Sequence, residues 1–373
     1  MPTLHDIIAP IEAAAPCAWQ ENWDNAGWQI CPADPKTTEC TGALLTLDVT
    51  EAVVSEAARE GYNLIVSHHP LLFKGLKQIT ASTPQERIVA EAIRNGIAIY
   101  SAHTNMDSAP GGVNFQLAEM LGLTDIEVLI PRDNDLVKLV FYTPSAEAER
   151  VRSAILEAGA GHIGKYDSCS YNNEGFGTFR AASDTCRPFA GQIGELHREP
   201  EIRTETVVPR HLAGHIVDTL KKVHPYEEPA YDIIPLELPH RGVGLGCVGN
   251  LPQAVPAAEF LQHIARTLNM PYLRHSEIAT ETVRRVALCG GSGAEFIPAA
   301  IASGAQVYLT ADLKYHDFQR GTGVITLVDG GHFETEQQLL DVFYKLISKK
   351  MPNFAVRRAA MPSNPVGYLL RTR

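Results

Sequence analysis

Short apolar runs alternate with amphipathic segments along the first third of the chain. Leu44-Leu45-Thr46-Leu47-Asp48 is followed by residues 51–59, in which Val53, Val54 and Ala57 fall at helical spacing. Leu64-Ile65-Val66 precedes a helical stretch at 84–95, and Ile97-Ala98-Ile99-Tyr100 comes next. This alternation predicts βαβ units around a mainly parallel sheet. Ahead of it, Leu4, Ile7, Ile8 and Ile11 mark the apolar face of a short helix, whereas residues 21–30, dense in turn formers and carrying two tryptophans, read as a loop. From about Asp133 the pattern changes to strands at 136–142, 175–181, 203–208 and 231–236, with helices at 146–158 and 211–223. Two helices among short strands form the ferredoxin-like pattern. Residues 239–246, with three glycines, read as the connection out of this segment. The earlier rhythm then resumes: a helix at 260–268, strands at Arg285-Val286-Ala287-Leu288, Gln306-Val307-Tyr308-Leu309 and Val324-Ile325-Thr326-Leu327-Val328, and a closing helix with Leu339, Leu340, Phe343 and Ile347 on its buried face. The strands on the two sides repeat one plan in layout rather than in residue identity. The expected fold is an α/β host of two similar halves, residues 1–130 and 241–373, interrupted by an inserted ferredoxin-like α+β domain at 131–240.

Composition adds exclusions. The 373 residues are 45% hydrophobic and 20% charged, ordinary for a soluble globular protein of more than one domain. A formal charge of -11 with scattered Lys and Arg offers no basic stripe, so no nucleic-acid partner is expected. An anionic substrate would need a metal to offset the acidic field locally. The first 19 residues carry Asp6 and Glu12 and no basic leader-like region. The uncharged stretch 296–311 holds a proline, a glycine and several polar residues, which argues against a membrane span. Seven cysteines without a C-x-x-C pair argue against a disulfide framework or a thiolate zinc knuckle, and a reducing cytoplasm is the expected setting.

The chemistry gathers after the strands. Ser67-His68-His69-Pro70 follows the apolar run 64–66. Neighbouring side chains in a strand point to opposite faces, so both imidazoles serve one site only if the backbone turns, which Pro70 favours. Taken alone, the pair fits one core and one surface histidine better than a shared site. His103 with Asp107, and His332 with Glu336, also follow predicted strands. Ligands of parallel α/β sheets bind beyond the carboxyl ends of the strands, which would put all three clusters on one sheet edge. Imidazole nitrogen with carboxylate oxygen suits zinc, manganese or ferrous iron, and the absence of cysteine disfavours a soft site. Five such side chains exceed the needs of one catalytic ion. Shared between two ions about 3.5–4 Å apart, with a bridging carboxylate, they leave room for water.

Together Ser67-His68-His69-Pro70, His103-x-x-x-Asp107 and Gly331-His332-x-x-x-Glu336 resemble the Nif-three-like dinuclear metal centre family, the GTP cyclohydrolase 1 type 2 homologues. Trp23-Asp24-Asn25-x-Gly27 and Thr310-Ala311-Asp312 fit the same family, and the inserted segment, with Gly164-x-Tyr166-Asp167 and His224-Pro225-Tyr226-Glu227-Glu228-Pro229, is similar to its PII-like or CutA-like module. The resemblance implies that His68, His69, Asp107, His332 and Glu336 hold two divalent ions per subunit. It implies further that His103 lies beside them, as a catalytic proton carrier or as a partner of a ligand, and that the chain assembles as a homohexamer. The expected function is metal-dependent hydrolysis of a small nucleotide-like or heterocyclic molecule; the alternative is a metal-binding regulatory or sensor assembly.

Other features compete for attention. His211 and His215 share the i, i+4 spacing of a zinc pair but lack the glutamate of an H-E-x-x-H helix. The proline-bracketed segment 224–229 is either a cleft wall or a rigid connector. Gly290-Gly291-Ser292-Gly293 imitates the nucleophile elbow of a serine hydrolase, with Asp329 and His332 following in the order of that triad. Yet His332 cannot be both ligand and general base, and three glycines also suit a packing turn or a loop around an anion. Cys289 reads as a small core residue.

Overall fold

Gly27–Ile30 forms a strand, β1, where the turn-rich sequence reads as a loop. Its pairing overrides its composition: Trp28 lies opposite Tyr100, the two rings meeting edge to face at 5.2 Å. The structure is a computed structural model that describes residues 1–361 and 363–369. The strands β2 (Ala43–Thr46), β3 (Leu64–Ser67) and β4 (Ala98–Ser101) are parallel, with every residue buried, and β1 caps this sheet antiparallel to β4. Their unbroken apolar runs follow from helices packing against a parallel sheet. Thr50 and Thr83 cap two of these helices, Glu51–Glu60 and Pro84–Arg94, through side-chain oxygens that accept the amides of Val53 and Glu86.

A long strand, β5 (Thr124–Arg132), leads to the inserted unit, residues 131–241, which is compact in itself. Here β6 (Leu136–Pro144), β7 (Tyr171–Phe179), β8 (His197–Pro209) and β9 (Tyr231–Pro235) form an antiparallel sheet in the order β7-β8-β6-β9. The helices Ala148–Glu157 and Ala213–Val223 bury Val151, Ile155, Ile216 and Leu220 with Val137, Leu139, Phe141 and Val208 of the sheet. This β-α-β-β-α-β arrangement is ferredoxin-like.

The rest of the chain forms the second compact unit. Residues 239–246 are not a loose connection: His240–Pro256 is one long strand, β10. Its glycines mark close backbone approach, since a Cβ at Gly244 (φ +153°) would lie 2.0 Å from the Ile130 carbonyl oxygen. Then follow β11 (Arg274–His275), β12 (Thr282–Ser292), β13 (Val307–Ala311) and β14 (Thr326–Asp329). They repeat the first four strands: β12, β13 and β14 are parallel, and β11 lies antiparallel beside β14 as β1 lies beside β4.

The halves are not contiguous at 130 and 241 in the way the sequence suggests. β5 joins the second sheet next to β10, and Leu117, Ala118 and Leu121 enter the core of that sheet. In return Leu339, Phe343 and Ile347 of the helix Leu339–Lys350 pack with Leu4, Ile7 and Ile11 under the first sheet, where β15 (Val356–Arg358) pairs with β2. Apolar periodicity shows that a helix has a buried face but not which sheet receives it.

Beyond β15 the chain is tied down by a buried carboxylate. Glu56 accepts the amides of Ala360 and Met361 at about 3.0 Å and Arg357 Nη1 at 2.6 Å. Burial alone would raise its pKa, but the two amides and Arg357 outweigh it and hold the group below the usual carboxylate range. Its contribution is therefore full at neutral pH and lost as pH falls through the lowered value. Glu56→Ala should cost about 2–3 kcal/mol in chemical denaturation at pH 7 and less at pH 3. Unchanged hydrogen exchange at the amides of Ala360 and Met361 in that variant would contradict this anchoring.

Candidate metal centre

β3 stops at Ser67, and the two histidines follow in a bend. Their amides still bond the carbonyls of Thr46 and Leu47, while the Ser67 hydroxyl donates to the His69 carbonyl. The turn brings both imidazoles to one side, with ring centroids 4.8 Å apart. The other clusters share a construction. After β4, His103 opens the one-turn helix Thr104–Ser108 and Asp107 lies four residues on; after β14, His332 opens His332–Glu336. The i, i+4 spacing puts each histidine and carboxylate on one helical face. Since β4 and β14 are equivalent strands of the repeat, these two clusters are equivalent positions in the two halves.

The expected single sheet edge is corrected here. His68, His69, His103 and Asp107 follow strands of the first sheet and His332 and Glu336 a strand of the second, and the two sets meet with His69 Nε2 3.3 Å from His332 Nε2. Glu336, 3% exposed, lies between them: Oε2 is 3.1 Å from His69 Nε2 and 3.3 Å from His332 Nε2, and Oε1 is 3.7 Å from His68 Nε2. Asp107 Oδ1 is 3.6 Å from His68 Nε2. Ligand atoms of His68, His69 and His103 lie within 4.8 Å of one another, as do those of His69, His332 and Glu336.

The orientation of each ring is fixed from behind. Nδ1 of His68 faces the Ala102 carbonyl at 2.8 Å, and Nδ1 of His69, His103 and His332 faces Asp48, Asp24 and Asp312 at 2.9, 2.8 and 2.7 Å. Carbonyl and carboxylate oxygens only accept, so every Nδ1 carries the proton. In the neutral rings each Nε2 then presents a lone pair to the others and to the Asp107 and Glu336 oxygens. His68 Nε2, Asp107 Oδ1 and Glu336 Oε2 are buried without a hydrogen-bond partner. Lone pairs facing lone pairs in a buried space require positive charge among them. A metal ion fits, because imidazole and carboxylate donors suit zinc, manganese or iron.

Protons are the other source of that charge, and the pKa shifts follow. For His69 and His332 burial opposes the charged form, but protonation of Nε2 lets each ring donate to Glu336 as well as to Asp48 or Asp312, which outweighs burial and pushes both up to about 10. Burial raises Asp107 to about 7. For Glu336 burial is outweighed by the His68 charge and by hydrogen bonds from the surrounding imidazoles, which leave it well below the usual range. Asp24, raised by burial but lowered further by His103 and Thr104, falls to about 2, so it stays ionised behind His103.

Two cavities open on the cluster. One, of about 360 Å³, is lined by Trp23, Phe73, His103, Asp107, Ser292 and Glu336. Trp23 and Phe73, 58% and 44% exposed, stand 5.8 Å apart at its rim and within 6.3 Å of the His103 ring. The other, of about 570 Å³, lies on the Asp48 and Asp312 side, with Arg274 and Tyr368 in its wall.

Asp48 follows β2 as the histidines follow β3, and strand-end position is its signal in the sequence. Asp312 was noticed only within a family motif; its positive φ of 56°, unusual for a non-glycine residue, appears only in the backbone. Phe73 carries no local signal. Ser292 is exposed and makes no hydrogen bond among the described residues, so no nucleophile–base pair forms with His332. Burial raises the Cys289 thiol well above its ordinary pKa. Among the described residues His211 and His215 belong to no metal-capable group.

Fold and site together describe an α/β protein of two similar halves, whose facing strand ends carry histidine and glutamate side chains that could hold a metal ion. The chain belongs to the Duf34/NIF3 (NGG1p interacting factor 3) family, which it matches over residues 2–365. It is 39% identical to a Bacillus subtilis protein named GTP cyclohydrolase 1 type 2 homolog, covering 92% of this chain and 91% of that protein. A Mycobacterium tuberculosis protein of the same name is 37% identical, covering 89% and 88%. The crystal structure of a Bacillus cereus protein related to NIF3 superposes with a TM-score of 0.85 at 36% identity, covering 99% of each chain.

The glycine-rich end of β12 packs against this site. A Cβ on Gly291 (φ +61°) would lie 2.1 Å from Glu336 Oε1, whereas one on Gly304 (φ +76°) would meet nothing within 4 Å. Gly291→Ala should therefore displace the Glu336 carboxylate and lower bound metal in elemental analysis at least tenfold. Gly304→Ala bears similar backbone strain and should keep the wild-type metal content. Equal metal in both variants would refute the dependence on this strand end.

Proposed function

We propose that this centre holds two divalent cations, zinc, iron or manganese, through His68, His69, Asp107, His332 and Glu336, and that the protein is a metal-dependent hydrolase of a small nucleotide-like or heterocyclic substrate. The observation that carries this reading is the convergence of the His68, His69 and His332 Nε2 atoms on the buried Glu336 carboxylate, with Asp107 Oδ1 3.6 Å from His68 Nε2 and the Nδ1 of all three rings, and of His103, each held by an acceptor behind it. When bound, divalent cations supply Lewis acidity and make water a nucleophile at neutral pH. Glu336, with one oxygen toward His68 and the other toward His69 and His332, is the residue placed to be shared.

The remaining chemistry belongs to the chain. His103, with Nδ1 fixed on Asp24, has Nε2 as its free nitrogen in the wall of the smaller cavity and serves to move a proton there. Trp23 and Phe73 offer two aromatic faces beside it, which suits a flat heterocycle and excludes water from one side of it. Arg274 in the larger cavity provides a positive group for an anionic tail. The name carried by the relatives, GTP cyclohydrolase 1 type 2 homolog, accords with a purine nucleotide as the substrate class.

Elemental analysis with a substrate screen tests the assignment. Asp107→Ala and Glu336→Ala should lose bound metal and turnover together, and full turnover in metal-free variants would sink it. His103→Gln should keep both metal equivalents while turnover falls roughly 10²- to 10⁴-fold; loss of one equivalent would make His103 a ligand instead. Trp23→Ala should raise KM with little change in kcat.

A further inference from the structure

The inserted unit contains a cavity of its own, of about 490 Å³, a size suited to a small organic ligand. Its walls include Tyr142, Phe179, Phe189 and Tyr226. The Tyr226 ring stands 5.5 Å from Phe179 and 6.1 Å from Phe189. Tyr226 is held from behind by His224, whose Nε2 donates to the Tyr142 carbonyl at 2.9 Å, so that Nδ1 accepts the Tyr226 amide at 3.0 Å. The proline-bracketed segment 224–229 is thus a cavity wall.

Within these rings lies a carboxylate. Glu201 is only 8% exposed and lines the cavity. Its Oε1 accepts the Tyr226 hydroxyl at 2.8 Å, while Oε2 has no hydrogen bond, and Glu201 makes no ion pair among the described residues. A Cβ at residue 177 would come 2.3 Å from Oε2, so glycine there lets the carboxylate lie against β7. A nearly buried carboxylate without a cationic partner is costly. The faces of the surrounding rings are negative as well, so carboxylate and rings attract the same kind of guest. Glu227 and Glu228 add two more carboxylates to the lining, against Arg180 and Arg187. A cation on an aromatic face is already present nearby, where the Arg198 guanidinium carbon lies 3.4 Å from the Phe176 ring centroid.

We propose that this cavity is a binding site for a small organic cation, an amine or quaternary ammonium carried on an apolar body, with the charge set against Glu201 and the body between Phe179, Phe189 and Tyr226. The site lies wholly within the inserted unit, and no part of the inference rests on the metal centre.

Ligand-observed NMR titration of the full chain with benzylammonium, benzyl alcohol and benzoate is the direct test. Wild-type protein should bind benzylammonium at least tenfold more tightly than either of the other two. Glu201→Gln should remove that preference, and Phe189→Ala, at a side chain 50% exposed and so harmless to folding, should weaken benzylammonium binding several-fold. Tyr226→Phe, which frees the second oxygen of Glu201 and keeps the ring, should leave it as tight or tighter. Equal affinity for the cation and the alcohol, preference for benzoate, or no binding to wild-type protein would each overturn the proposal.

Discussion

The site depends on where four imidazole protons reside. One carbonyl and three aspartates stand behind His68, His69, His103 and His332, and each accepts a hydrogen bond from Nδ1–H. With those bonds made, every Nε2 turns its lone pair inward on the same small volume as Asp107 and Glu336. A protein interior does not tolerate so many acceptors without positive charge between them. The aspartates that fix the rings also raise the basicity of the nitrogens they aim. Orientation and affinity for a cation are thus two results of one set of hydrogen bonds.

That arrangement is available because the host unit is built twice. In each half three parallel strands open into irregular segments or short helices at their carboxyl ends, and a short antiparallel strand closes one side. The equivalent strands β4 and β14 both lead into one-turn helices with a histidine at the entry, His103 as N-cap and His332 as first residue, and a carboxylate four residues later. Facing the two sheets across these ends joins two half-sites into one cluster. The exchange of β5 for β15, and of the helices that accompany them, ties each half into the core of the other. A rigid base of this kind suits a site whose ligands must hold position before an ion arrives.

The inserted unit follows different rules. Its sheet is antiparallel, its core is confined to one face, and its aromatic residues on β7 and the neighbouring segments remain largely outside that core. Phe176, Phe189 and Tyr171 are more than half or about half exposed, which is unusual for residues whose only task is packing. The side chains that could hold a metal ion come entirely from the host unit, and the cavity around Glu201 draws its walls entirely from the insert.

The periods of apolar residues were enough to recognise the parallel βαβ rhythm, the ferredoxin-like segment and the repeat in layout, because burial on one face imposes periodicity wherever it occurs. Position after a strand was enough to select His68, His69, His103, Asp107, His332 and Glu336, because loops at carboxyl ends leave the sheet toward one side. Periodicity is silent about partners, and what it left open was decided by the folded chain. Trp28 and Tyr100 had to meet for 27–30 to become a strand, Gly244 had to approach Ile130 for 239–246 to become one, and the last helix had to find the first sheet. The site shows the same division. Local sequence supplied imidazoles and carboxylates, but pairing of strands within each sheet placed Asp48, Asp24 and Asp312 behind the rings, and only the meeting of two separate sheets put Glu336 between His69 and His332. The contact of Glu336 with His69 joins residues 267 positions apart, and no local pattern encodes it.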